Sequence, residues 1–439
     1  MSMSEGGIVS ARRWEGIATA GARTALRPLQ LLVSAPVFLF LAALTAMLMR
    51  PPELEGFAID RVAFALLVVG VLARSLVFRQ QVFTFERATS PMLGLTALAL
   101  VSLVNQPFDA ETWSVLAAKF IVPFLLFHLA ILVFSDERSL RQFEIFAIIV
   151  LAYLCFIAIA FLAGANFLIF PRFIVDESIG FHFDRARGPF LQAVANGVSL
   201  NLLGLLALHA FQRRRNRGVW MKLLLASVPI AILATMTRAV WLSFAATVLA
   251  LAFLSGSRSL LRMCIAGAIA VALALIVSFA STSLSSSVAD RFEERAPIDF
   301  REAVYAGGWE MFLEQPWLGW GFHQMPFELP RHVSGYHEKL LYPHNTYLEL
   351  MVELGAPGFG LYLWLMWEMW RLGRGEISPR EKSGFLNQHF HRLWPILLAV
   401  YWLNAAVVVM SYQFVNGLLF TLAGMLAAQR RRAEAELPC

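Results

Sequence analysis

Long apolar runs separated by short polar segments dominate the chain. A membrane-spanning helix needs roughly 20 apolar residues, with about 17 to 25 tolerated. About twelve segments meet that criterion, at 29–49, 61–78, 90–104, 112–134, 142–164, 190–211, 219–236, 239–254, 260–280, 346–370, 393–411 and 413–428. The third, eighth and twelfth are short. Val219 to Leu254 is nearly unbroken, interrupted only by Thr235-Met236-Thr237-Arg238. As one helix it would be about 54 Å long, well beyond the hydrocarbon thickness. The run is therefore expected to be a hairpin with Arg238 at its outer turn.

The polar segments alternate in charge. Arg12, Arg13, Arg23 and Arg27 precede the first run, Arg79 and Arg87 follow the second, and Arg138 and Arg141 follow the fourth. Basic residues recur at Arg213–Arg217, Arg258, Arg262, Arg371, Arg374, Arg380, Lys382 and Arg430–Arg432, whereas intervening loops such as Pro51–Glu55 are acidic or neutral. Under the positive-inside rule both termini are expected to be cytoplasmic. Two outer loops exceed what a connection requires, 165–189 and 281–344. The second begins with a serine-rich linker (Ser281–Ser287), continues with helical spacing over Asp299–Phe312 and turns at Pro316-Trp317-Leu318-Gly319-Trp320-Gly321. The expected fold is an all-α integral membrane protein of about twelve transmembrane helices. A large helical outer loop is expected between the ninth and tenth, dividing the chain into 1–280, 281–345 and 346–439.

Composition agrees. The 439 residues are 58% hydrophobic and only 15% charged, with a mean hydropathy of +0.64, whereas soluble domains are about one quarter charged. The net charge of +6 sits mainly in loops of one side and does not point to nucleic acid. The three cysteines, Cys155, Cys264 and Cys439, have no metal-ligand spacing and suggest no disulfide framework. Met1–Arg27 reads as a polar, basic cytoplasmic tail and not as a removable signal peptide.

Polar chemistry concentrates at Tyr342-Pro343-His344-Asn345-Thr346-Tyr347-Leu348-Glu349, where the long loop re-enters the membrane. Thr346 with Glu349 three residues later has the capping-box pattern, so a helix is expected to start there. A histidine at such a turn can accept a hydroxyl proton at neutral pH. Glu349 and Glu353 share a helix face and need partners or a wet cavity. An interfacial histidine with both glutamates satisfied by arginines explains the spacing too. Four cations fall on or near the outer side: Arg187, Arg238, Arg301 and Lys119. Arginine grips phosphate through two donors and lysine acts as a point charge, so an anionic headgroup such as a pyrophosphate would account for them. Snorkelling, or pairing with Asp184, Asp299 or Glu302, is the alternative. No glycine-rich nucleotide loop, Asp-x-Asp pair or His/Cys metal cluster occurs. A transferase here would accordingly use a lipid-linked donor, its pyrophosphate stabilised by arginines. A transporter would call for matching broken helices in two halves, and only Gly355-Ala356-Pro357-Gly358-Phe359-Gly360 is strongly interrupted.

Three pieces carry a family resemblance: Arg187-Gly188-Pro189-Phe190 with Ala195-Asn196-Gly197, Thr235-Met236-Thr237-Arg238, and a third piece from Arg301 and Trp309 through Pro316–Gly321 to Pro343–Glu349 and Glu353–Gly358. They resemble the O-antigen ligase and polymerase superfamily of bacterial membrane proteins. The resemblance implies a GT-C-like glycosyltransferase working at the periplasmic face of the inner membrane. Its donor would be an undecaprenyl-pyrophosphate-linked glycan and its acceptor a sugar hydroxyl of lipid A–core. It further implies His344 as base or orienter and Arg187 and Arg238 as pyrophosphate ligands. Arg301 is a weaker ligand candidate, joined by Lys119, with Asn345, Glu349, Glu353 and Trp309 in support. Inversion without metal, ATP or other cofactor is implied as well. Ala195 departs from the proline common in the family before the asparagine. Missing arginine-x10-glycine repeats after Arg187, Arg291, Arg295 and Arg301, and one dominant outer loop, favour ligase over polymerase.

Overall fold

The computed structural model describes residues 34–50, 59–104, 106–180, 183–213, 218–255, 262, 296–333, 340–375 and 384–436, and no strand occurs among them. In chain order the helices are α1 (Pro36–Met49), α2 (Ile59–Val77), α3 (Thr89–Leu103), α4 (Ala110–Val133) and α5 (Glu137–Leu162). They continue with α6 (Ala193–Arg213), α7 (Val219–Ala234), α8 (Arg238–Ser255), α9 (Ala296–Glu314), α10 (Thr346–Leu372), α11 (Gln388–Ala405) and α12 (Gln413–Glu436). Among the described residues α4, α5, α6 and α10 are long and apolar enough to cross a membrane, and α1, α3, α7 and α8 are shorter apolar helices. The expected ninth span at 260–280 lies outside the described residues, as do the linker Ser281–Ser287 and the tail Met1–Arg27.

The 219–254 run folds as the expected hairpin. Its turn has no glycine or proline, and threonine hydroxyls replace them. Thr235 donates to the Ile232 carbonyl at 2.7 Å and Thr237 to that of Thr235 at 2.8 Å, while Met236 takes the left-handed φ of 46°. Such short-range bonds satisfy carbonyls that a helix end leaves open. Small residues set the closest helix contacts, as in membrane bundles generally. A Cβ on Gly424 of α12 would stand 2.3 Å from the Phe127 carbonyl of α4, and one on Gly197 of α6 would stand 2.3 Å from Val240 of α8.

Several boundaries differ from expectation: the fifth helix starts earlier, at Glu137, the twelfth runs on to Glu436, and the eleventh differs at both ends. The eleventh run, 393–411, begins its helix earlier because the Asn387 side chain caps it, accepting from His389 N–H at 2.9 Å and Phe390 N–H at 3.2 Å. It also stops at Ala405, and residues 406–412 form a non-helical turn before α12. That turn holds the start of α10: the Thr346 hydroxyl donates to the Val408 carbonyl at 2.8 Å and accepts from Met410 N–H at 2.9 Å.

α10 is broken. Gly355 has φ 65° and ψ −171°, and Pro357 follows, so the carbonyls of Val352 and Glu353 lose their helical donors. Proline has no N–H to offer Glu353, and Ala356 N–H turns instead to the Pro316 carbonyl at 2.8 Å. The loop makes good the loss, as Trp320 N–H reaches the Val352 carbonyl at 2.8 Å and Gly321 N–H the Glu353 carbonyl at 3.0 Å. Backbone freed inside a membrane helix is tolerated where protein re-satisfies it in this way. Around this clasp α9 and the following loop build a second small core. Val304, Met311, Met325, Leu329, Val333 and Leu341 pack on Leu348 and Val352 of α10. The described parts of the long loop, 296–333 and 340–344, therefore pack on α10.

Candidate functional site

The His344 junction is built by the start of α10, by α9 and by the 406–412 turn. The cap of α10 is Asn345, whose side-chain oxygen accepts from Tyr347 N–H at 3.0 Å and Leu348 N–H at 3.2 Å. The expected Thr346–Glu349 capping box does not form, because Thr346 is bound to the 406–412 turn and the Glu349 carboxylate is used elsewhere. His344 itself is half-buried with φ 46°, a left-handed backbone that costs about 1–2 kcal/mol for a residue carrying Cβ. Its carbonyl lies 3.4 Å from the Tyr305 hydroxyl, which also lies 3.3 Å from the Ala406 carbonyl. Burial raises the Tyr305 phenol above its ordinary pKa, opposed by the charge of Arg301 and a hydrogen bond with Asn345. Arg301, Tyr305, His344 and Asn345 thus form one group. Tyr305 escaped the motif reading; its signal is its place one helical turn after Arg301 on α9.

Behind the junction lies a buried cluster of charged and titratable side chains. Residues Ala117–Ile121 of α4 form a π-helical turn that carries Lys119, a local widening often found at functional positions. Lys119 Nζ bonds Glu349 Oε2, with the two side chains 4% and 5% exposed, and sits 5.6 Å from the centre of the Phe322 ring. Lys119 therefore pairs with Glu349 and not with the loop carboxylates expected as alternatives. Among the described residues, Glu353, one turn along α10 and 1% exposed, finds no partner in hydrogen-bond geometry for either carboxylate oxygen. Lys119 and the backbone N–H groups of His323 and Met325 are its nearby sources of positive potential. His323 is nearly buried with φ 61°. Its Nε2 is 4.0 Å from Glu111 at the start of α4. Desolvation pulls its pKa below the ordinary value; Glu349 and Asp109 oppose that shift and Lys119 adds to it. His323 is a second residue missed from sequence, since only the fold brings the 320s loop to α4.

The segments that carry Arg187 and Arg238 come together by a different route. Ala186 N–H donates to the Ala234 carbonyl at 3.0 Å, and Asn196 Nδ2 donates to the Ala186 carbonyl at 2.8 Å. The Arg187 segment therefore lies against the hairpin turn that precedes Arg238. Gly188 is required there, because its φ is 60° and a Cβ would stand 2.7 Å from the Asn196 side chain. Arg187 is 1% exposed and spends its fork on backbone carbonyls: Nε on Ile174 at 3.0 Å, one terminal nitrogen on Ile179 at 2.5 Å and the other on Asp176. Arg238 is half-buried at the first position of α8. The Phe190 ring, three residues past Arg187, lies 5.9 Å from that of Phe414, at the start of α12. The 406–412 turn continues from there to Thr346, so the three sequence motifs share one end of the bundle. Trp309 is half exposed with its ring 5.3 Å from Phe312. Among the described residues no three His, Cys, Asp or Glu side chains converge as a metal-ligand set.

Residues 221–363 match the family model described as O-antigen ligase. No curated protein matches the chain. The matched segment runs from α7 into α10 and contains Arg238, Arg301, Tyr305, His323, His344, Glu349 and Glu353, whereas Lys119 and Arg187 lie before it.

Proposed function

We propose, for a chain that belongs to the O-antigen ligase and polymerase superfamily, that it is the ligase: a GT-C-like enzyme joining an undecaprenyl-pyrophosphate-linked glycan to lipid A–core. Its apolar helices and family make it a multi-pass membrane protein. In our reading it sits in the bacterial inner membrane with both termini cytoplasmic and the His344 end facing the periplasm. The observation that carries the proposal is the place of His344 inside the matched segment. It lies on a strained, capped turn beside Arg301 and Tyr305, where the loop meets α10.

In the proposed reaction His344 takes the proton of an acceptor sugar hydroxyl, and the freed oxygen attacks the anomeric carbon opposite the pyrophosphate. The new glycosidic C–O bond forms as the bond to pyrophosphate breaks, so the configuration inverts. Undecaprenyl pyrophosphate leaves with the bonding electrons and the proton remains on the imidazole. Arg238 and Arg301 stabilise the charge developing on the leaving group. Arg187 is assigned a different part from the one its motif implies: with its donors on three loop carbonyls, it positions the loop that flanks Arg238. Lys119, Glu349 and Glu353 support the start of α10 from below, and Asn345 holds its cap.

The test is transfer by the purified full-length protein from lipid-linked polymer to lipid A–core. Wild type should form the conjugate with or without a chelator. His344→Ala should lose about 100-fold or more of the rate, the range expected for a positioned base, while still inserting and purifying normally. Retained transfer in that variant removes His344 from the chemistry. Cells lacking the protein should keep full-length polymer on the carrier; accumulation of single repeat units would assign the chain to the polymerases instead.

A further inference from the structure

The arginines at the far end of α10 read as topology signals in the sequence, but the fold gathers four of them. Arg87, Arg371, Arg430 and Arg431 line a cavity of about 570 Å³ between the start of α3 and the ends of α10 and α12. From His344 to this cavity the chain runs along α10 for about 35 Å at helical rise, so the two sites occupy opposite ends of the bundle. Three glutamates share the lining, Glu86, Glu368 and Glu434. Each is paired with one arginine: Arg371 with Glu368 at 3.4 Å, Arg430 with Glu434 at 2.8 Å, and Arg431 with Glu86. These pairs hold the guanidinium groups in place around the cavity. Among the described residues Arg87 makes no ion pair, so the lining carries one positive charge in excess.

The rim has the chemistry of a membrane interface. Phe85 and Trp364 line the cavity, and both are exposed large aromatics, as is the neighbouring Trp367. Arg374 lies 3.5 Å over the Trp370 ring. Tryptophan and arginine at this density mark the headgroup level of a bilayer. Ser90 adds a hydroxyl to the lining. A preorganised arginine set with one uncompensated charge, opening between apolar rings at the headgroup level, matches a phosphate carried on acyl chains. We propose that this cavity binds the phosphate of an anionic membrane phospholipid, at a site separate from the one assigned to glycan transfer.

The full-length protein in nanodiscs of phosphatidylethanolamine and phosphatidylglycerol provides the test, read as the lipid retained on the protein by native mass spectrometry. Wild type should retain phosphatidylglycerol in preference to phosphatidylethanolamine. Arg87→Gln should reduce that preference about tenfold, the loss expected for one charge-assisted contact. Arg138→Gln, an exposed arginine at the start of α5 that does not line the cavity, should leave it unchanged. An equal effect of Arg138→Gln, or no preference in wild type, would overturn the site in favour of general surface attraction. Inorganic phosphate supplied alone distinguishes the other source of the same chemistry. Binding of phosphate with the same dependence on Arg87 would overturn the lipid assignment and leave a site for a soluble anion.

Discussion

Lys119 shows how one buried side chain governs several others. Among the described residues it is the cation set against both Glu349 and Glu353 inside the bundle. Removing one member of a buried pair typically costs about 3–5 kcal/mol because the partner charge is stranded. Lys119→Met should therefore lower thermal stability in detergent sharply, and Lys119→Met combined with Glu349→Leu should recover most of the loss. A double variant no more stable than the single one would show that the pair is not the main contribution at this site. His323 makes a pH prediction. Its folded pKa lies below the ordinary histidine value, so the unfolded chain binds the proton more readily. Its contribution is complete above about pH 6.5 and is lost as the pH falls towards the folded value. Melting temperatures across pH 5–8 should fall on the acid side, and His323→Gln should flatten that fall. An unchanged slope would assign the acid sensitivity to other groups.

At the scale of the element, the break in α10 organises the site. Its φ and ψ place Gly355 in a region that only glycine occupies readily, and a Cβ there would stand 2.4 Å from the Trp317 carbonyl. Gly319, on the opposite side of the clasp, has φ 68°, and its Cβ would stand 2.4 Å from the Glu353 carbonyl. Gly355→Ala and Gly319→Ala should each cost about 2 kcal/mol or more in stability. Gly360→Ala, further along α10 with nothing within 4 Å of a new Cβ, should be neutral or slightly stabilising. Denaturation of the three variants side by side separates local strain from a general intolerance of alanine in α10. The hairpin α7–α8 makes the complementary point: a turn without glycine is stable where hydroxyl groups close its carbonyls.

Across the whole molecule, legibility followed the range of the interaction. Apolar length alone located helices such as α2, α5 and α8, since a membrane imposes it on any spanning segment. The hairpin at Arg238 was legible for the same reason, and the broken helix could be read from Gly355 and Pro357. What escaped depends on partners distant in the chain. Lys119 and Glu349 are 230 positions apart, and no local period links them. The donors that occupy the carbonyls of Asp176, Ile174 and Ile179 could not be assigned to Arg187 before the fold of its loop was known, so the motif alone did not show how its guanidinium is held. Thr346 carried a valid capping signal that a competing partner, the 406–412 turn, overrode. The clasp also has a consequence for how the chain is made. Residues 316–321 leave the ribosome before residues 352–356, so the groups that satisfy the broken helix exist before that helix is synthesised. Biogenesis in this order lets the later segment find its donors on arrival, and the reverse order would leave open carbonyls facing lipid.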